Sequence, residues 1–156
     1  MHITIVAVGQ KLPAWAQTAV DDYLARFPRD FTVIVKEVKA EARTGGKPVA
    51  QVMAAEAERI ERAVPAGDIL VAMDEHGRDM TTVDFSKKIS AWKNEGCGVP
   101  FIIGGADGLD PALKAKSRMM LRLSSMTLPH AFARVLLTEQ IYRAWSILAN
   151  HPYHRV

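Results

Sequence analysis

The chain is 156 residues long, 49% hydrophobic and 24% charged, with a net charge of +3; this balance fits one globular domain over 1–156 and excludes a disordered chain. The longest apolar runs are too short to span a bilayer, the opening MHITIVAVGQ shows no signal peptide, and the single cysteine, Cys97, excludes an intrachain disulfide framework, so a cytoplasmic protein is expected. From Pro111 onward seven Lys or Arg accompany one acid, Glu139, giving +6, whereas the first 110 residues sum to −3; the basic segment is either a surface facing a polyanion or an unevenly solvated one.

The run ITIVAVG, rich in β-branched residues and stopped by Gly9, reads as a buried strand. Pro13 opens a helical pattern to about Phe27, carried by Trp15, Ala19, Tyr23, Leu24 and Phe27. FTVIVKEV at 31–38 is a second strand, EARTGGK a polar loop, and Pro48 starts a second helix to about Val64. ILVAMD at 69–74 is a third strand followed by a turn at EHGRD. Thr82 is placed as the cap of a third helix to Trp92, which Gly96 and Gly98 end. VPFIIGG is a fourth strand, Pro111 to Lys116 a short helix, MMLRLS a fifth strand, and roughly Ala131 to Ala149 a long final helix.

Strands and helices therefore alternate, which predicts an α/β domain with a largely parallel sheet and helices on both faces. Ligands of such sheets bind beyond the carboxyl ends of the strands. The loops after Met73, Ile103 and Leu123 are the places to look.

Three stretches carry chemistry. In FIIGGADGL, Gly104 and Gly105 follow a strand directly, with Gly108 beyond; they either let a ligand approach the backbone or build a tight strand-to-helix turn. The spacing is not that of a dinucleotide fingerprint, and a phosphate loop is absent. In LSSMTLPH, backbone groups of Ser124 to Leu128 can meet a purine edge, while Leu123, Met126 and Leu128 offer an apolar slot. His130 falls near a helix N-terminus there, and the alternative is a capping loop. In the last helix, Glu139, Arg143, Ser146 and Asn150 form a polar stripe running into the tail HPYHRV, and the rest is apolar almost all round. So broad an apolar surface points to contact with another subunit. His151 and His154 lack a third ligand nearby, so no metal is expected; Ser124 or Ser125 as a nucleophile lacks the glycine pattern such serines require.

LVAMD with a glycine after it, FIIGGADGL, LSSMTLPH, LLTEQIYRAWSI and the terminal NHPYHR, in this order, resemble the ribosomal RNA large-subunit methyltransferase H family of the SPOUT superfamily. The resemblance spans the chain from VAVGQKLPAW to the tail, departing slightly at SSM and AD. It implies a C-terminal trefoil knot, a homodimer, S-adenosylmethionine as methyl donor, and N3 of a pseudouridine in 23S ribosomal RNA of the assembled ribosome as acceptor. On this chain it implies a cofactor pocket of Met73, Gly104, Leu123, Ser124, Ser125, Met126, Thr127 and Leu128. Candidates for handling the N3 proton and the resulting charge are His154, Glu139, His130 and Arg155. Arg143, Tyr153 and Arg155 are the expected RNA contacts, with Tyr153 stacking on a base and one subunit's tail completing the other's site. Two other functions share the basic segment: a ribosome-binding module without catalysis, and a knotted methyltransferase acting on tRNA.

Overall fold

The structure is a computed structural model in which residues 1–9 and 11–155 are described. Strand β1 (His2–Val8) lies inside a five-stranded sheet of order β2-β1-β4-β3-β5, with β2 (Thr32–Val38), β3 (Val71–Arg78), β4 (Val99–Ile103) and β5 (Met119–Leu121). Every pairing is parallel. Strands buried on both faces read as continuous apolar runs, which is why ITIVAV and VPFII were legible as they stand.

The two faces separate by residue parity. Ile3, Ile5 and Ala7 of β1, with Phe101 and Ile103 of β4, pack against α3 (Thr82–Glu95) and α5 (His130–Leu148). Val6 and Val8, with Ile102, pack instead against α2 (Val49–Ala63) and α4 (Pro111–Lys116). Helix α1 (Ala14–Leu24) joins the first layer, running parallel to α5: Ala16 and Val20 meet Ala131 and Val135, and further along Tyr23 meets Tyr142. The expected architecture, helices on both faces of a parallel sheet, is what the chain adopts.

Four boundaries differ from expectation. Helix α1 ends at Leu24 rather than Phe27, whose ring stacks on Phe31 at the start of β2. Thr81, not Thr82, caps α3, its side chain accepting from the Asp84 N–H at 3.1 Å; the helix runs on to Glu95 and stops at Gly96, in the left-handed region at φ 75°. Strand β5 is only three residues long, leaving 122–128 as loop.

The fourth difference concerns β3, which continues through Glu75 to Arg78 where a turn was expected. Its register against β5 slips between Met73 and Arg78, so that Leu121 pairs with both. Gly77 makes this possible, because a Cβ there would lie 2.7 Å from the Leu121 backbone. The polar letters EHGR imitate a turn, yet the backbone stays extended.

Candidate active site

The carboxyl ends of β3, β4 and β5 open into two adjoining cavities that share Met73, Asp74, Glu75, Ile103, Leu128 and Ala133. The larger, about 570 Å³, extends over Gly104 and the 105–108 turn to Lys114 and His130. Its volume suits a nucleoside-sized ligand. The smaller runs under the loop after β5 and is lined by Leu123, Ser124, Met126, Thr127 and Leu128. Of the eight expected cofactor residues, seven line this cleft; Ser125 is exposed and lines neither cavity.

The loop 123–128 is open for binding. Among the described residues its backbone makes one hydrogen bond, from the Met126 N–H to Ser124 Oγ at 2.9 Å. Its remaining N–H and C=O groups are available to a purine edge, with Met73, Ile103 and Leu121 forming an apolar wall. The glycines of the 104–108 turn serve the turn itself. A Cβ on Gly104 would lie 2.6 Å from the Gly108 carbonyl carbon, and Gly108 sits at φ 83°. The Gly108 N–H closes the turn onto the Gly105 carbonyl at 3.0 Å. Asp107 is held from outside by an ion pair with Arg43.

Sequence reasoning missed Asp74, although it is the residue right after the flagged Met73. Burial pushes its carboxyl up, but the Lys114 ammonium at 2.8 Å and the His76 N–H at 2.9 Å outweigh this and hold it below the ordinary range. Asp74 is therefore an anion on the cleft wall, with Glu75 beside it. Lys114 matches the Asp74 charge on the same wall, which leaves Glu75 as the carboxylate that favours a cationic ligand group.

His130 stands at the N-terminal end of α5 on the rim of the larger cavity. Its Nε2 accepts from Arg134 Nε at 2.9 Å, and the Gly104 carbonyl lies near the ring. Burial, and then the neighbouring Arg134 guanidinium, push its pKa below the usual histidine value. Arg134, 2% exposed, reaches on to Glu37 Oε2 at 3.0 Å. The nitrogen that would accept a proton is thus already taken by the Arg134 N–H, which suits a proton acceptor poorly.

The remaining candidates lie further along α5. Glu139 follows His130 by nine residues, a rise of roughly 14 Å at about 1.5 Å per residue, and the tail folds back to meet it. There Glu139 receives Arg143 Nε (2.8 Å), Tyr153 OH (2.9 Å) and Gln140 Nε2 (2.8 Å). The Tyr153 ring packs edge-on against Tyr142 at 4.7 Å, with the Arg143 guanidinium over it at 4.8 Å. Burial, and then hydrogen bonds to Tyr23 and Glu139, raise its hydroxyl pKa far above the usual tyrosine value. Ser146, expected in a polar surface stripe, is fully buried with its hydroxyl on the Arg143 carbonyl at 2.6 Å. His154 keeps a buried Nδ1 that has no partner among the described residues, and Arg155 is exposed. One chain therefore brings the cofactor residues together with His130, and separately gathers Glu139, Arg143, Tyr153, His154 and Arg155.

Among the described residues no group of three or more His, Cys, Asp or Glu is placed to hold a metal. Among the described residues no helix is long and apolar enough to cross a membrane.

The family model described as "Predicted SPOUT methyltransferase" matches residues 1–154. A ribosomal RNA large subunit methyltransferase H of Bordetella avium (strain 197N) is 55% identical over 155 residues, covering 99% of either chain. One of Ralstonia pickettii (strain 12J) is 53% identical over 156 residues, the full length of both. Among solved structures, a probable methylase family protein from Haemophilus influenzae Rd KW20 aligns with 99% of this chain and 70% of its own, at a TM-score of 0.56. A putative methylase family protein from Neisseria gonorrhoeae does so over 99% and 86%, also at 0.56. At 15% identity these two share the fold alone.

Proposed function

Since this chain belongs to the SPOUT methyltransferase family, we propose that it methylates N3 of a pseudouridine in 23S ribosomal RNA, in the cytoplasm and on the assembled ribosome, with S-adenosylmethionine as donor. The observation that carries this reading is the cleft at the ends of β3, β4 and β5, with its unpaired loop backbone and its two carboxylates. An adenosine needs an apolar slot edged by backbone donors and acceptors, and a sulfonium is a cation; Leu123 to Leu128, Met73 and Glu75 supply these complements. When bound, the cofactor supplies an activated methyl group, so alignment of donor and acceptor is the main demand on the protein.

The acceptor nitrogen must lose its proton before it has a lone pair to offer. Glu139 is occupied by three hydrogen-bond donors and His130 Nε2 by Arg134, whereas the buried Nδ1 of His154 has no hydrogen-bond partner among the described residues. His154 takes the proton in this reading, and the exposed Arg155 holds the RNA phosphate or a uracil oxygen. Tyr153, expected to stack on a base, is instead tied to its own chain, and its role becomes that of an anchor for the two residues after it.

Because Tyr153 is tied to Glu139 and Tyr142, roughly 14 Å or more along α5 from the His130 rim, a second copy of the chain supplies the tail in this reading. An exposed apolar ridge on α1 and α5 supports such a homodimer: Trp15, 51% exposed, lies tilted against Phe132, 48% exposed, at 4.9 Å, with Leu136 one turn further on. Two α5 helices packed antiparallel about a two-fold axis bring each tail to the other's cleft rim. The family's trefoil knot belongs to the same reading and fixes the 123–128 loop.

The test is transfer of labelled methyl from S-adenosylmethionine to intact ribosomes, compared with free ribosomal RNA and with tRNA. Ribosome labelling at a pseudouridine is expected, and preferential labelling of tRNA defeats the proposal. Removing Tyr153 to Val156 is expected to abolish transfer while leaving cofactor binding by calorimetry within about twofold. Absence of cofactor binding in the intact protein favours a ribosome-binding module.

A further inference from the structure

Tyr153 has one proton, and it is donated to Glu139 Oε1 at 2.9 Å. The Tyr23 hydroxyl, 2.9 Å from the Tyr153 oxygen, must then be the donor in that pair. Tyr23 comes from the last turn of α1, 130 residues away in sequence, and forms the third side of the aromatic pocket around the tail. Its ring lies edge-on to Tyr153 at 6.3 Å and tilted on Tyr142 at 5.9 Å, with the Arg26 guanidinium 4.7 Å above it. Beyond Glu139 the chain of hydrogen bonds continues through Gln140, whose Oε1 accepts from Thr82 Oγ1 at 2.7 Å. One connected path therefore runs from α1 through the tail and α5 to the first turn of α3.

We propose that Tyr23 is a positioning residue for methyl transfer, its hydroxyl fixing Tyr153 and thereby the aim of His154 and Arg155 at the partner copy's cleft. The assignment rests on the reading of the tail given above. Tyr23 touches no part of the cleft: it is absent from the walls of both cavities. It acts on the reaction only through Tyr153. Both tyrosine hydroxyls are part-buried, so the pair is sheltered from competition by water and a lost partner is felt. Besides the Glu139 bond and the packing of Tyr153 on Tyr142 and Arg143, the tail's described hydrogen bonds run from the His151 N–H to the Ser146 carbonyl at 2.8 Å and from the Tyr153 N–H to His151 Nδ1 at 3.2 Å. Neither fixes the direction of the residues after Tyr153.

The experiment is a double-mutant cycle on the full-length protein with intact ribosomes as substrate. Tyr23→Phe keeps the ring contacts and deletes only the donor. It is expected to lower kcat about fivefold to tenfold, the loss one neutral hydrogen bond carries, with KM for S-adenosylmethionine and the melting temperature unchanged. Tyr153→Phe is expected to lower kcat at least as much, and the double variant no further than Tyr153→Phe alone. Digestion by a carboxypeptidase, followed by mass spectrometry, is expected to release Arg155 and His154 faster from Tyr23→Phe than from the parent.

Three results overturn the assignment. Full kcat in Tyr23→Phe means the hydroxyl does not position the tail. Additive losses in the double variant mean Tyr23 acts by a route other than Tyr153. Full kcat in Tyr153→Phe removes the tail reading itself, and the Tyr23 assignment falls with it; that arm separates the two failures.

Discussion

His130 shows how a residue with suitable chemistry is taken out of contention by its neighbours. Burial, and then the Arg134 guanidinium bonded to one ring nitrogen, favour the neutral ring in the fold. The folded state thus binds this proton less readily than the unfolded chain, so stability rises with pH across the interval between the two values. The contribution of His130 is complete above the unfolded value of 6.5 and is lost as pH falls through the lower folded value. A His130→Asn variant should accordingly lose less melting temperature than the parent between pH 7 and pH 5, as followed by calorimetry at matched ionic strength. Equal losses in the two proteins would remove His130 as an acid-sensitive element. Nothing in LSSMTLPH foretells this, because Arg134 reads as one more member of a basic segment and Glu37 lies on a distant strand.

At the level of elements, strands β1 and β4 could be read directly from their apolar runs, and the position of the cleft followed from where those strands end. The extension of β3 could not, since its letters EHGR are those of a turn and only contact with β5 holds them extended. Gly77 is the hinge of that difference. Gly77→Ala places a Cβ 2.7 Å from the Leu121 backbone and must push β3 and β5 apart. Loss of about 1 to 3 kcal/mol in chemical denaturation is expected, together with weaker cofactor binding, because Leu121 and Met73 wall the cleft. Unchanged affinity in a destabilised Gly77→Ala would separate the bulge from the site. The tail was the least legible element of all. Its order depends on a tyrosine 130 positions upstream, and no local pattern carries a contact of that range.

Across the whole molecule, the uneven charge has an internal explanation. Of the seven cations from Pro111 onward, Lys114, Lys116, Arg118, Arg122 and Arg134 pair with Asp74, Glu61, Glu95, Asp79 and Glu37 of the first 110 residues, and Arg143 with Glu139. The +6 segment is thus largely matched to the −3 body, and composition alone cannot tell an internal match from a polyanion-facing surface. If Arg155 meets an RNA phosphate, replacing it with alanine should lessen the slope of log affinity against log salt by about 0.7 to 0.9. Replacing Lys116 or Arg118, both already paired, should leave the slope unchanged. Equal effects at all three positions, measured by ribosome binding from 50 to 300 mM salt, would restore the segment as a phosphate-facing surface.

The position of β1 also governs how the chain reaches its fold. Its residues Ile3 to Ala7 are synthesised well before their partners, since on one edge they pair with Val99 to Ile103 of β4. Roughly a hundred residues must leave the ribosome before that edge is closed, and until then an apolar strand with unpaired amides is open to other chains. At the 5–20 residues per second of translation, this exposure lasts from about five to twenty seconds. If the proposed substrate is right, the protein passes its own most aggregation-prone moments attached to the kind of particle it modifies.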